Sequence, residues 1–277
     1  MSKVDATSLA EYFADIITSR HNQHAIVRIV GAAGTGKSWA AVDLATETAR
    51  IVAEIKGGIV DDYYNFERNL AVINKDDIKR VMADPQEYNI LHLDDIGVGW
   101  NARKYKDDFN IFLNDIIQTF RPKHNLVLMT LQSGFLIDKV PRSLAHYEIE
   151  MESADFDAGI TVAKVNRIVM KHKIGKLYYP YIFLNGTKYV RHIFEKPDIE
   201  KMTEYERIRA IQLKKLNDMK DDEDAAPKKM TLAQRFGADG LNRLHDKCGS
   251  WQEVADIVSD VIGKSISIEG CRKVAKC

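Results

Sequence analysis

The sequence predicts an α/β protein with a mainly parallel sheet flanked by helices, a β-hairpin extension and a small all-α C-terminal domain. Three observations predict it. Continuous apolar runs at residues 25–30, 89–93 and 125–130 alternate with segments of helical period, the pattern of parallel strands buried on both faces. After about Ile160 the runs become shorter and alternating, and Asn185-Gly186 between two of them is a hairpin-turn signal. A charged stretch at residues 220–229, carrying Pro227, then sets off a last helical unit.

Taken in order, residues 1–24 carry Leu9, Tyr12, Phe13, Ile16 and Ile17 at helical spacing, an amphipathic helix leading into the first strand, residues 25–30. Residues 38–45 are helix-like. Ile59-Val60-Asp61 reads as a short strand. Val72 to Met82 and Phe109 to Phe120 read as helices, the second with an apolar face of Phe112, Leu113, Ile116 and Ile117. Residues 89–93 and 125–130 are the next buried strands. Ile168-Val169-Met170, Tyr181 to Leu184 and Tyr189 to Phe194 are the strands of the extension, and Glu200 to Met219 is a polar helix. The expected domains are 1–200, a helix and linker at 201–229, and a helical domain at 230–277.

The 277 residues suffice for one domain of ordinary size plus something small, and 45% hydrophobic content allows a full core. Lys+Arg and Asp+Glu are equal at 40 each, so any nucleic-acid contact must come from local patches. Cys248, Cys271 and Cys277 form no C-x-x-C pair and read as reduced thiols. With no apolar run of membrane-spanning length and no signal-peptide pattern, a cytoplasmic location is expected.

Residues 31–38 read Gly-Ala-Ala-Gly-Thr-Gly-Lys-Ser, a complete G-x-x-x-x-G-K-[ST] loop between a strand-like and a helix-like segment. Glycines let such a loop curl its N–H groups toward a polyphosphate at a helix N-terminus. The expected nucleotide-binding residues are Gly31, Ala32, Ala33, Gly34, Thr35, Gly36, Lys37, Ser38 and Trp39. Lys37 would reach the β- and γ-phosphates of ATP, and the Ser38 hydroxyl would take a place on Mg²⁺. The fold class is therefore that of a P-loop NTPase.

The strand ending at Leu93 runs into Asp94-Asp95. In such enzymes the first acid holds Mg²⁺ and the second orients and deprotonates the attacking water, so Asp94 is assigned to the metal and Asp95 to the water. The plainer alternative is a pair of carboxylates that merely end a strand. The next strand ends near Leu131-Gln132, where Gln132, with Thr130 second, is the candidate to sense the γ-phosphate; a polar strand cap is the alternative.

Residues 31–38, Leu93-Asp94-Asp95 and Thr130-Leu131-Gln132 together resemble the additional-strand branch of P-loop ATPases. Within it, Asp94 to Lys104, Gln118 to Asn125 and Tyr178 to Ile182 resemble small archaeal and viral-type members of the FtsK–HerA group of DNA-pumping motors. The resemblance covers about residues 25–200. It implies a DNA-translocating or genome-packaging ATPase that assembles as a homo-oligomeric ring, commonly a hexamer, on double-stranded DNA. It also implies an arginine from a neighbouring subunit; Arg121 is the first candidate, followed by Arg103 and Arg142. Relatives mostly carry glutamate where this chain has Asp95, one methylene shorter, which leaves open a slow, nucleotide-switched regulator or loader of the AAA+ type. A small-molecule kinase is a third reading.

In the tail, Ser250 with Glu253 reads as a capping box, Trp251, Val254, Ala255 and Val258 as a buried face, and Ser267 as the start of a second helix. The pattern resembles a helix-turn-helix, whose Arg272, Lys273 and Lys276 would meet DNA; a bundle for contact with a protein partner is the alternative. A further zone of Lys171, His172, Lys173, Lys176, Tyr178, Tyr179, Lys188 and Arg191 is read as mainly structural, its tyrosines filling a sheet face.

Overall fold

The computed structural model describes residues 8–21, 23–72, 75–83, 85–96, 123–133, 145–171, 173–225, 232–262 and 265–276. Elements are numbered over these residues. Two compact units are formed, residues 1–216 and 217–277.

In the first unit, α1 (Leu9–Thr18) starts at Ser8, whose hydroxyl accepts from the Glu11 N–H while the Glu11 carboxylate accepts from the Ser8 N–H. Its face of Leu9, Phe13 and Ile17 is fully buried. Then follow β1 (Ala25–Val30), α2 (Lys37–Lys56), the short α3 (Val60–Tyr63) and α4 (Phe66–Asn69), β2 (Leu70–Val72), α5 (Lys75–Ala83), β3 (Ile90–Asp94) and β4 (Leu126–Leu131). β5 (Tyr147–Asp155) and β6 (Ile160–Arg167) form a long hairpin. Two small hairpins come next, β7 (Val169–Lys171) with β8 (Lys176–Tyr178), and β9 (Ile182–Leu184) with β10 (Thr187–Tyr189). The unit ends with β11 (Arg191–Glu195) and α6 (Ile199–Ala225), the latter running past its boundary.

The main sheet has the order β11-β6-β5-β1-β4-β3-β2. The five strands from β5 to β2 are parallel, and β6 and β11 add antiparallel pairs at one side. Every residue of β1, β3 and β4 is buried, as two-sided coverage requires. One core cluster joins α1, α2 and the sheet to Tyr205 and Ile208 of α6; the other lies on the opposite face, around Ile26, Leu93 and Met129.

The predicted fold class is what forms, with differences in detail. Ile59-Val60-Asp61 is not a strand. Gly57 and Gly58 break α2 at positive φ, and the Asp62 carboxylate accepts from the Ile59 N–H at 2.9 Å, which starts α3. The helix predicted from Val72 begins at Lys75, because Leu70 to Val72 pair with β3. The helix predicted at Phe109 to Phe120 lies outside the described residues. Asn185 and Gly186 both adopt positive φ between paired Leu184 and Thr187, the two-residue turn their sequence predicts. Tyr178 does not fill a sheet face but is exposed, since Met170 and Leu177 turn the other side of its hairpin inward, and Tyr179, beyond β8, is exposed as well. The predicted polar helix forms within α6 and has an inner face, because Tyr205, Ile208 and Gln212 are buried in the first unit.

In the second unit, α7 (Leu232–Cys248), α8 (Trp251–Ile262) and α9 (Ile268–Ala275) enclose a small core of Leu241, Val254, Ala255, Val258 and Cys271. Gly237, at φ 64°, kinks α7. The Ser250 hydroxyl accepts from Glu253 N–H, one of the two bonds of the predicted capping box, and that of Ser267 from Gly270 N–H, where the predicted second helix starts. Among the described residues no helix is long and apolar enough to cross a membrane.

Candidate nucleotide site

The loop from Gly31 to Gly36 joins β1 to α2 at the C-terminal edge of the parallel strands. Its two ends are fixed. The Gly31 N–H donates to Leu131 O of β4, and the Thr35 hydroxyl to Ala32 O. Gly34 and Gly36 stand at φ 77° and 79°, where a side chain would be strained. A Cβ on Gly36 would also come within 3.1 Å of Thr161, whose hydroxyl lies 3.0 Å from Thr35 O and 2.9 Å from Ser153 O. Ala32, Ala33 and Gly34 are exposed at the crest. Lys37 is buried yet has no carboxylate within ion-pair distance among the described residues; its ammonium donates to Ala32 O at 2.8 Å. A buried cation held by one carbonyl, under a crest of backbone amides at a helix N-terminus, fits a polyphosphate. Trp39 packs edge-on against Phe156, with Lys196 over its ring, at the side of the loop.

β4 lies between β1 and β3, so the loop, Asp94-Asp95 and the end of β4 meet at one edge. The Ser38 hydroxyl faces the Asp94 carboxylate at 3.3 and 3.4 Å. No three His, Cys, Asp or Glu side chains converge on a metal position among the described residues. One hydroxyl and one carboxylate still fit Mg²⁺, which keeps most of its ligands as water and phosphate oxygen.

Asp94 has no exposed surface. Thr130 Oγ1 donates to its Oδ1 at 2.6 Å, Tyr205 donates to its Oδ2, and His92 Nε2 stands 3.5 Å from Oδ1. Behind His92, the Tyr64 hydroxyl meets Nδ1 at 2.9 Å. Burial alone would raise the Asp94 pKa, but His92, Thr130 and Tyr205 outweigh it and hold the carboxylate well below its ordinary range. Burial and Asp94 in turn push the Tyr205 phenol far up, so it stays a donor.

Asp95 sits at φ 50°, at the turn that ends β3. Thr130 holds that turn, with Oγ1 accepting from Asp95 N–H at 2.7 Å and its carbonyl from Ile96 N–H at 3.0 Å. Arg209 of α6 reaches Asp95 Oδ2 at 3.2 Å. Burial and the Asp94 charge raise the Asp95 pKa, against the opposing pull of Arg209 and Lys37.

The structure thus brings Lys37, Ser38, Asp94 and Asp95 together. Thr130, the second sensor candidate, is taken up by the acidic pair. Gln132 lies exposed one residue beyond β4 and bonds no other described residue. Arg121, Arg103 and Arg142 lie outside the described residues. Arg272, Lys273 and Lys276 are exposed on or just after α9. Sequence reading missed Tyr205 and Arg209. Met202, Tyr205 and Ile208 recur at helical spacing and mark an inward face on this helix, but nothing local ties that face to the acidic pair.

No protein-family model matches the chain, and no curated protein matches its sequence. Among solved structures, the N-terminal domain of zonular occludens toxin from Neisseria meningitidis is 16% identical, with a TM-score of 0.36 over 58% of this chain and 95% of that one. A KaiC-like protein from Pyrococcus horikoshii OT3 is 13% identical, with a TM-score of 0.25 over 68% of this chain and 97% of that one. The strand order, the loop after β1 and the acidic end of β3 together make the fold P-loop NTPase-like.

Proposed function

We propose that the chain is a Mg²⁺-dependent ATPase that works as a ring, commonly a hexamer, translocating or packaging double-stranded DNA. One observation carries the ATPase reading, the meeting of Lys37, Ser38 and Asp94-Asp95 at the ends of two parallel strands that flank β4. The backbone amides of residues 31–36 and the Lys37 ammonium would hold the phosphates. Ser38 and Asp94 would hold Mg²⁺, which when bound neutralises charge on the phosphate oxygens. Asp95 would accept the proton of the attacking water, and its raised pKa makes it a stronger base than an exposed aspartate. Arg121 of a neighbouring subunit would meet the charge on the transferring phosphoryl group. The DNA reading is supported by the resemblance in sequence and by the exposed Arg272, Lys273 and Lys276.

Steady-state ATP hydrolysis, measured against protein concentration with and without duplex DNA, tests this. Lys37→Ala should lose nucleotide binding. Asp95→Asn should keep binding and lose about 100-fold or more in turnover. Arg121→Ala should lose the concentration-dependent part of the rate. Absence of Mg²⁺-dependent hydrolysis and of nucleotide binding in the native chain would overturn the reading.

A second reading, a nucleotide-switched regulator or loader, is favoured by a specific contact. Tyr205 and Arg209 already engage both carboxylates from one helix. ATP-dependent assembly with barely measurable turnover would support it.

A further inference from the structure

We propose that the two small hairpins β7–β8 and β9–β10, with the segment joining them, form a binding surface for single-stranded nucleic acid. It begins from charge. Residues 158–194 contain five lysines and two arginines and no aspartate or glutamate, in a chain whose net charge is zero. Two of these cations, Lys164 and Arg191, share one carboxylate, Glu152. Lys171, Lys176 and Lys188 have no carboxylate partner among the described residues, and all three are exposed.

The strand registers put these lysines on the same faces as exposed rings. In the first hairpin Val169 pairs with Tyr178 and Lys171 with Lys176, so one face carries all four, while Met170 and Leu177 occupy the other. In the second, Phe183 pairs with Lys188, and buried Ile182 and Leu184 point the opposite way. Tyr178 ends one hairpin and Tyr181 opens the next, at most about 11 Å along the chain. Tyr178, Tyr181 and Phe183 are 41%, 37% and 59% exposed. Lys171 Nζ lies 4.7 Å from the Tyr178 ring centroid and Lys188 Nζ 3.8 Å from that of Tyr181.

Exposed rings of this size are costly in water unless something covers them. Three rings interleaved with lysines match a ligand offering flat apolar faces and an anionic thread together. Unpaired bases on a phosphate backbone are such a ligand, with a short site of about 4–16 nucleotides. A duplex is a poorer match, because its base faces are already stacked. The nearby Tyr179 has a different duty: its hydroxyl accepts from buried Arg28, which also pairs with Glu148 at 2.6 Å.

This surface lies outside the nucleotide site and goes beyond the duplex-DNA reading above, without depending on ATP hydrolysis. The test is fluorescence anisotropy of the full chain with a labelled 20-nucleotide oligothymidylate, a 20-base-pair duplex, and phosphatidylcholine vesicles holding phosphatidylserine. The oligothymidylate should bind more tightly than the duplex. Tyr178→Ala/Tyr181→Ala should weaken it about tenfold or more, whereas Tyr178→Phe/Tyr181→Phe, which keeps the rings, should bind as the native chain does. Lys171→Gln/Lys188→Gln should reduce the salt slope of log K by about 1.4. Lys37→Ala should bind the oligonucleotide normally even though its nucleotide site is lost, which separates failure of this surface from failure of the ATPase. Unchanged binding in the double alanine variant would overturn the proposal. So would preference for the duplex, binding to vesicles in place of the oligonucleotide, or loss confined to Arg272→Ala/Lys273→Ala/Lys276→Ala.

Discussion

Asp94 shows how single atoms decide the site. A carboxylate with no exposed surface is unstable as an ion unless donors replace the water it has lost. Here Thr130 and Tyr205 supply one donor to each oxygen, and His92 stands beside the first. A charge-assisted hydrogen bond inside a protein is worth about 1.5–3 kcal/mol. Tyr205→Phe removes one such bond and little else, so it should destabilise the first unit by about 2 kcal/mol in urea unfolding. Thr130→Val removes the donor to Asp94 together with the acceptor of Asp95 N–H, and should cost about 3 kcal/mol or more. A Tyr205→Phe variant as stable as the native chain would mean that the phenol does not hold the carboxylate. The two halves of this site differed in how openly the sequence announced them. Lys37, Ser38 and Asp94 could be named in advance because phosphate chemistry forces them into contiguous patterns. Tyr205 lies 111 positions from Asp94 and belongs to no short motif, so only the fold reveals it.

Among the elements, β2 is the case where sequence and structure part most. Three residues long and at the sheet edge, it ends at Val72, where the apolar period predicts the start of a helix. A strand that short needs outside support, since an edge leaves N–H and C=O groups unpaired. α6 supplies it. Gln212 Oε1 accepts from Val72 N–H at 2.7 Å, and its Nε2 donates to Leu70 O at 3.1 Å, so the side-chain amide acts as a one-residue neighbouring strand. Arg80 of α5 donates to the same Leu70 carbonyl at 2.9 Å. Gln212→Ala should therefore leave a buried N–H without its acceptor, at a cost of about 2 kcal/mol. In hydrogen exchange the Val72 amide should lose protection while the amides of β1 and β4 keep theirs. Equal protection in both proteins would show that β2 is held by its pairing with β3 alone. The same dependence explains the uneven legibility of the fold. β1, β3 and β4 are buried on both faces and write their positions as continuous apolar runs, whereas β2 and the inner face of α6 are specified by each other. The hairpin at Asn185-Gly186 stands between these extremes, because its turn chemistry is local and sufficient.

For the whole molecule, the balance of buried ionisable groups sets how stability follows pH. Among the described residues, His146, His192 and Asp43 titrate between their folded and unfolded values in the mildly acid range. Burial pushes His146 and His192 down to about 4, His146 with help from His24 and Arg167. Asp43 on α2 is pushed up to about 7 by burial, then by the charges of Glu47 and Glu195, against smaller opposing pulls from a hydrogen bond to the Glu195 backbone and from Lys201. At about pH 5 the unfolded chain binds protons on both histidines, whereas the folded chain holds one on Asp43. The histidines thus make stability rise with pH, from about 4 to their ordinary 6.5, because the unfolded state binds more protons there. Asp43 acts with the opposite sign: its contribution is complete below its ordinary 3.8 and is lost as pH rises through about 7. One full proton corresponds to about 1.4 kcal/mol per pH unit, and because the difference in Asp43 protonation is partial toward the ends of its window, the average slope is about 1. Asp43→Asn removes only this opposing member. Its advantage over the native chain should be near zero at pH 4, grow by about 1 kcal/mol per pH unit through pH 6, and level off above pH 7. Denaturant unfolding of both proteins at intervals of half a pH unit measures this directly. A constant difference at all pH values would mean that Asp43 is ionised throughout in the folded protein, and that α2 carries its buried carboxylate through contacts other than protonation.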